Sequence, residues 1–271
     1  MRPYPVVLSI AGSDCSGGAG IQADIKTISA LGGYAASVIT AITVQNTLGV
    51  QRVEAVSPET VYDQIEAVMS DLQPDAIKIG MVNDVATIRM IAVCLQKHQP
   101  RFVVYDPVMV STSGHLLMTT EAIQEMKEVL FPLTTLITPN LNEVAVLCAR
   151  SVTSPEEMLH AAQELATLYQ TSILVKGGHL PGEDMCDVLY SADGKSAIYK
   201  GKKIESRNLH GTGCTLSSAI ATQLAKGNSS NEAIREAKRY IEQAIAAGRD
   251  LNIGQGNGPL WHFPDSMHKS E

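Results

Sequence analysis

The residues His210-Gly211-Thr212-Gly213-Cys214-Thr215 open a helical run late in the sequence. Glycines just ahead of a helix leave backbone N–H groups free to converge on an anion. A basic side chain set among those groups would meet a phosphate as it transfers. Cys214 holds that place. A free cysteine is usually a small buried hydrophobe, but at a helix N-terminus the local field lowers the thiol pKa. As a thiolate, Cys214 would take the proton of a hydroxyl substrate. The amides of Gly211, Gly213 and Cys214 would stabilise charge developing on the phosphoryl group.

Further polar residues follow short apolar runs. Asp106 ends Val103-Val104-Tyr105 and is followed by Pro107, which fixes the turn. Its carboxylate reads either as a turn cap or as an oxygen ligand on the phosphate side of a hydrated Mg2+. Thr138-Pro139-Asn140-Leu141-Asn142-Glu143 carries Asn140 and Glu143 at the spacing of a capping box. A first-turn carboxylate at Glu143 also suits a water of hydrated Mg2+. Lys176-Gly177-Gly178-His179 places an ammonium where it is either a surface charge in a tight turn or a contact to nucleotide phosphates. His179, His98 and His160 read as structural or solvated.

The loop Ala11–Gly20 is glycine-rich, and Gly18-x-Gly20-x-x-Ala23 matches a loose dinucleotide fingerprint. The acidic residue that would hold a ribose about 20 residues on is absent; Gln45 and Asn46 stand at the next strand end. Gly12 and Gly17 have P-loop spacing, but Gly18-Ala19 replaces the Lys-Ser/Thr pair. A substrate-binding loop fits better than either phosphate cradle. Asp24, one turn into the next helix, reads either as a solvated first-turn carboxylate favoured by the helix dipole or as an acceptor for a polar heterocycle.

The elements that must position these residues alternate. Strands are expected at Val6–Ile10, Ala35–Val44, Ala76–Ile79, Phe102–Tyr105, Thr135–Thr138 and Ser172–Val175. Helices are expected at Ile21–Leu31, Pro58–Leu72, Ala86–Lys97, Glu121–Leu130, Leu141–Cys148, Pro155–Tyr169, Cys214–Lys226 and Asn231–Asp250. Asp187–Ser191 and Ala197–Tyr199 read as a hairpin turned at Asp193-Gly194. The tail beyond Leu251 reads as irregular. The alternation predicts an α/β fold, a mostly parallel central sheet with helices on both faces, in a single domain over residues 1–271. Ligands bind such folds beyond the carboxyl ends of the strands, where the polar residues above fall.

Composition narrows the function. The 271 residues are 45% hydrophobic and carry a net charge of −7, so no basic surface favours nucleic acid. No run approaches the roughly 18–20 apolar residues of a membrane span, and Met1–Ser9 is too short an apolar run for a secretory signal. Five scattered cysteines form no CxxC pair and read as free thiols of a reduced cytoplasmic protein.

Taken together, Ile10–Asp24, Ser37–Gln51, Lys78–Met81, Asp106–Met109, Leu136–Glu143, Val175–His179 and His210–Thr215 resemble the ribokinase-like superfamily. Within it they resemble the hydroxymethylpyrimidine kinase/phosphomethylpyrimidine kinase family of thiamine biosynthesis, over nearly the whole chain. The resemblance implies ATP-dependent phosphorylation of 4-amino-5-hydroxymethyl-2-methylpyrimidine and then of its monophosphate. It places Gly12, Asp24, Gln45, Met81 and Val108 in the pyrimidine pocket and Asp106 and Glu143 at Mg2+. Asn140, Lys176 and Thr212, in the Gly211–Gly213 loop, fall at ATP. Cys214 falls where many ribokinase-like enzymes carry an Asp base. A homodimer is implied. Pyridoxine/pyridoxal kinases of the same superfamily act on a similar hydroxymethylated heterocycle. A dinucleotide-dependent oxidoreductase and a non-catalytic pyrimidine-binding protein are the remaining readings; the absent ribose acid opposes the first, and Asp106, Glu143 and Cys214 oppose the second.

Overall fold

A computed structural model describes residues 4–109, 118–178, 180 and 184–264; His179 lies outside them. The strands are β1 (Val6–Asp14), β2 (Tyr34–Asn46), β3 (Gly49–Ala55), β4 (Ala76–Ile79), β5 (Val103–Tyr105), β6 (Leu136–Ile137), β7 (Ser172–Lys176), β8 (Asp184–Tyr190) and β9 (Ser196–Lys202). The helices are α1 (Gly20–Ala30), α2 (Pro58–Asp71), α3 (Val85–His98), α4 (Thr120–Glu125), α5 (Leu141–Cys148), α6 (Pro155–Tyr169), α7 (Thr212–Ala225) and α8 (Ser230–Gly248). Past α4 the chain winds on as a π turn, Met126–Leu130, and a 3-10 turn, Phe131–Leu133.

Among the described residues the nine strands form one sheet in the order β3-β2-β1-β4-β5-β6-β7-β8-β9. The central pairs, from β2–β1 to β6–β7, are parallel; β2–β3, β7–β8 and β8–β9 are antiparallel. Side chains alternate across the strands. Val7 belongs to an apolar cluster with Ile28 of α1 and residues of α7 and α8, whereas Leu8 and Ile10 belong to a second cluster that also takes in Ile65 of α2, Ile91 of α3 and Leu165 of α6. Both faces are thus covered, which is why the central strands read as continuous apolar runs. The chain leaves β1 towards β2 on one side and towards β4 on the other, so a topological switch point lies at the carboxyl ends of β1 and β4.

The expected elements recur with informative differences. β1 runs to Asp14 rather than ending at Ile10, because Ala11, Ser13 and Asp14 continue to pair with β2. The register slips between Ala11 and Ser13, where β2 carries an extra residue, so Gly12 lies within the strand opposite a bulge of β2 and not in the loop after it. β3 was not expected. Its seven residues are all exposed, so no apolar alternation marks it, and its pairing with β2 makes it a strand. The tail beyond Leu251 has no regular structure, yet it is anchored. The Gln255 and Gly256 N–H groups both donate to Thr47 Oγ1 at 3.1 Å, and Asn257 N–H donates to the Thr47 carbonyl oxygen at 2.8 Å.

The tail also carries His262, buried at 3% exposure with its Nε2 3.1 Å from Thr215 Oγ1 on α7. Burial, with help from Lys26, pushes its imidazole down to about 4. The folded protein therefore holds a neutral ring that the unfolded chain would protonate near pH 6.5. A depressed folded-state pKa stabilises the fold above the unfolded value, and the contribution fades as pH falls from about 6.5 to 4. The shift corresponds to roughly 3 kcal/mol at the acid end. Urea unfolding of wild type and His262→Gln should therefore converge between pH 7 and pH 4.5, wild type losing the larger share of its stability; parallel losses would show that His262 is already charged when folded.

Candidate active site

Six helices carry a side-chain N-cap: Ser57, Asp84, Thr119, Asn140, Ser154 and Ser229 for α2 to α6 and α8. Neither α1, capped by Ala19, nor α7, capped by Gly211, has one. These two helices begin side by side. At α1 a distant carboxylate does the capping. Asp14 Oδ2 accepts from the N–H groups of Gly18 (3.1 Å) and Ala19 (2.7 Å), and Oδ1 accepts from Ser16 N–H (2.8 Å) and Oγ (2.7 Å). His210 Nε2 lies 2.9 Å from Oδ2. Burial works against the charge on Asp14, but hydrogen bonds from His210, Ser16 and Gln45 hold its carboxyl well below the usual range. At α7 the Thr212 N–H turns back to the Leu209 carbonyl oxygen (3.3 Å), and the amides of Gly213 and Cys214 remain as donors for an anion.

Glycine is required where the two loops touch. Gly211 has φ +87°, and a Cβ there would lie 1.9 Å from the Gly18 carbonyl oxygen. A Cβ on Gly213 would stand 3.1 Å from Asp106 Oδ2 and 3.3 Å from Lys176 Nζ. The first turn of α7 thus lies directly against the Asp106–Lys176 pair, whose closest approach is 2.5 Å. Thr138 Oγ1 supports Asp106 Oδ1 at 3.2 Å. Lys176 ends β7 and bridges to Asn140, its N–H donating to the Pro139 carbonyl oxygen. Asp187 accepts from Gly177 N–H (3.0 Å) and pairs with Lys238 (2.7 Å), which fixes the turn after Lys176.

Asn140 and Glu143 form the capping box that their spacing suggested: Glu143 N–H donates to Asn140 Oδ1 at 3.0 Å, and Asn140 N–H to Glu143 Oε2 at 2.8 Å. The cap does not exclude a second role. Glu143 is buried, and burial lifts its carboxyl above the usual range against the pull of Lys176; Asp106 adds to the rise. Lys176 is held above the usual ammonium range: burial works against its charge, but Asp106 and Glu143 prevail. Among the described residues no group of three or more His, Cys, Asp or Glu is arranged to hold a metal ion. Two carboxylates beside one ammonium do fit Mg2+, which keeps several waters and needs only one or two protein carboxylates.

At the switch point, a Cβ on Gly12 would meet Met81 Cε at 2.5 Å, and Thr40 Oγ1 holds the Met81 carbonyl oxygen at 2.8 Å. Val108 follows Asp106, its N–H donating back to the Asp106 carbonyl oxygen at 2.9 Å. Gln45 sits at the mouth, its side chain reaching Asp14 and its backbone oxygen 3.1 Å from Cys15 Sγ. Asp24 lies elsewhere than either reading placed it. It is fully buried, and its oxygens accept from Lys78 (2.8 and 3.0 Å), Ser9 (2.5 Å) and Ser218 (2.7 Å). Those donors fill the carboxylate's four lone-pair sites. Asp24 is therefore neither solvated nor open to a heterocycle, because the apolar helix face that carries it is packed against β1 and α7.

Cys214 also needs correction. Its thiol is not lowered by the helix terminus: burial pushes it up to about 11, Lys78 pulls it down, and Asp24 and Asp106 add to the rise. Desolvation of the anion outweighs the local field. Lys78, wholly buried on β4 against Asp24, is the charged residue beside the site that the sequence reading did not single out. The signal was present, a lysine inside Ala76-Ile77-Lys78-Ile79, where a central parallel strand has no solvent to offer it.

An α/β sheet with free amides at one helix N-terminus and a carboxylate–ammonium pair against them suits a small-molecule phosphotransferase. Comparison with known proteins makes this specific. Residues 14–261 match the family model described as phosphomethylpyrimidine kinase. The chain is 51% identical over 259 residues to a hydroxymethylpyrimidine/phosphomethylpyrimidine kinase of Rhizobium meliloti (strain 1021), covering 95% of this chain and 97% of that one. A crystal structure of phosphomethylpyrimidine kinase from Clostridium difficile 630 aligns with TM-score 0.79 and 44% identity, covering 89% of this chain and all of that one. An ADP complex of Bacillus subtilis pyridoxal kinase aligns with TM-score 0.90 and 34% identity, covering 98% of this chain and all of that one. The fold and its relatives are ribokinase-like, and the chain belongs to the phosphomethylpyrimidine kinase family.

Gly211→Ala should lower kcat/KM for phosphoryl transfer at least a hundredfold, by about 3 kcal/mol or more, while far-UV circular dichroism stays helical and mixed as in wild type. Activity within a few-fold of wild type would show that the two loops need not touch.

Proposed function

We propose that residues 1–271 form one kinase domain that transfers the γ-phosphoryl group of ATP to 4-amino-5-hydroxymethyl-2-methylpyrimidine, and then to the monophosphate to give the diphosphate, in thiamine biosynthesis. The observation that carries this reading is the uncapped start of α7 lying against Asp106 and Lys176, with Cys214 in its first turn. Gly12, Met81, Val108 and Gln45 would line the pyrimidine pocket at the switch point. Asn140, Thr212 and Lys176 would face the nucleotide.

In this mechanism Lys176 neutralises the nucleotide phosphates, and Gly213 and Cys214 amides receive the charge of the transferring group. Asp106 and Glu143 would hold Mg2+, which would supply further charge neutralisation there. Cys214 accepts the proton of the hydroxymethyl group as its oxygen attacks the γ-phosphorus. With the thiol near 11, only about one molecule in ten thousand is thiolate at pH 7. The rate of the first step then follows that thiolate fraction, because the base takes the proton as the oxygen bonds to phosphorus and ADP leaves. The monophosphate brings an oxygen already ionised, and its attack needs no base.

Two supports extend the reading. All five cysteines are free thiols, which suits the cytoplasm. β3 leaves the sheet edge unpaired, with Ile42, Leu48 and Val50 exposed on the β2–β3 arm, which suits a homodimer. A pyridoxal kinase activity is the second reading, favoured by the close structural likeness to such an enzyme.

Purified protein with Mg-ATP should phosphorylate both pyrimidines faster than pyridoxal; transfer to pyridoxal alone would reverse the order of the two readings. Cys214→Ser should slow the first phosphorylation more than the second, and equal losses would remove the proton-acceptor role. Because a base with a raised pKa becomes active as it loses its proton, kcat/KM for the alcohol should rise about tenfold per unit between pH 8 and 10. The monophosphate reaction should stay flat over that range, and a flat profile for both would again exclude proton transfer to Cys214.

A further inference from the structure

Directly behind the start of α7 lies an ionic cluster that no step above uses. Lys78 on β4, Asp24 on α1, Ser9 on β1 and Ser218 on α7 are each 0% exposed. Lys78 Nζ lies 2.8 and 3.0 Å from the Asp24 oxygens, and the two serine hydroxyls complete that carboxylate. The packing is tight around the ammonium: a Cβ on Gly80 would lie 2.7 Å from Nζ. Ser218 stands one helical turn after Cys214, so the cluster grips α7 just beneath the thiol.

As a purely structural device this cluster is a poor choice. Burying two charges costs several kcal/mol per ion, and well-packed apolar residues of the same volume usually stabilise a core as well or better. Its place suggests another use. Lys78 acts electrostatically on both Cys214 and Asp106, the two reacting-side groups that flank the first turn of α7. Four groups from four elements bear on that thiol: Lys78 from β4, Asp24 from α1, Asp106 after β5 and Lys176 at the end of β7, while the Gly20 amide also reaches it. Of the two cations, Lys78 is the one that no step above uses.

We propose that Lys78 is a positioning residue: an ammonium locked by Asp24 behind the first turn of α7, whose fixed positive charge supports negative charge at Cys214 and at the phosphoryl group in transit. Asp24 holds the ammonium in place and satisfies it; the serines keep Asp24 from turning. The proposal rests on the kinase reading for its consequence in catalysis, but its electrostatic content does not, since thiol reactivity can be measured without turnover.

The test uses two substitutions that break the same ion pair from opposite ends. Iodoacetamide labelling of Cys214, followed peptide by peptide by mass spectrometry on the whole protein at pH 8.5, reports the thiolate population. Lys78→Met removes the cation and should slow labelling about tenfold, whereas Asp24→Asn leaves the cation unopposed and should speed it by several-fold. A structural role predicts the same sign for both, because both open the same packing; equal signs, or no change in either, would overturn the proposal. Lys78→Met leaves a carboxylate buried and unpaired, so it is paired with the neutral double variant Lys78→Met/Asp24→Asn. The double variant keeps the shape and should still label more slowly than wild type, since Lys78 outweighs Asp24 at the thiol; labelling at or above the wild-type rate would also overturn it. In turnover, Lys78→Met should lower kcat with little change in KM for ATP; an effect on KM alone would assign Lys78 to nucleotide binding instead. If labelling responds as stated while Cys214→Ser leaves the first phosphorylation intact, the electrostatic proposal stands and the proton-acceptor reading falls.

Discussion

The site depends on one close approach of backbone to backbone. Gly211 and Gly18 touch so tightly that neither loop tolerates a side chain at the contact. That contact aligns the start of α7 with the start of α1. Asp14 ties the two together: it caps α1 from a distance and holds His210 at the head of the second loop. Because Asp14 serves α1 and Gly211 has no side chain, the amides at α7 are left without a partner of their own. Amides are left free at this helix start because the side-chain capping used at six other helices is withheld here.

Charge then accumulates at the carboxyl edge of the sheet in alternating sign. Asp24, Lys78, Asp106, Lys176 and Glu143 come from five segments distant in sequence, and each is buried or nearly so. In that setting desolvation competes with every pairwise attraction. It wins at Cys214 and Glu143, which are both driven towards their neutral forms. It loses at Lys78 and Lys176, which have carboxylates at hydrogen-bond distance. Both ammoniums are thus held charged by a neighbouring carboxylate, while Cys214 and Glu143 add little negative charge to a site that would receive a polyanion.

Much of the fold was legible before any coordinates. Leu141–Cys148 and Pro155–Tyr169 begin and end where capping and proline signals placed them, and Ala76–Ile79 is a strand as its apolar run required. β3 was not legible, because Gly49–Ala55 is exposed on every residue and carries no periodic signature. The continuation of β1 through Gly12 was hidden for a related reason: the glycine reads as part of a loop, and only pairing with β2 keeps it in the strand. At the site, residue types and their order at strand ends pointed to phosphate chemistry. Asp24 misled because a carboxylate one turn into a helix looks the same in sequence whether water or a lysine 54 residues away faces it.

By itself the sequence determined the alternation of strands and helices, the glycines that free a helix terminus, and the acids and lysines that follow the strands. Those are local properties, set by side-chain periodicity and backbone freedom. Tertiary structure alone decided which charges meet and how much water remains beside them. It turned Asp24 inward onto Lys78, placed Gly213 against Asp106, and raised the Cys214 thiol instead of lowering it. The reason is physical: a pKa or an ion pair depends on distances and solvent access between segments far apart in the chain, and no spacing within one segment encodes those.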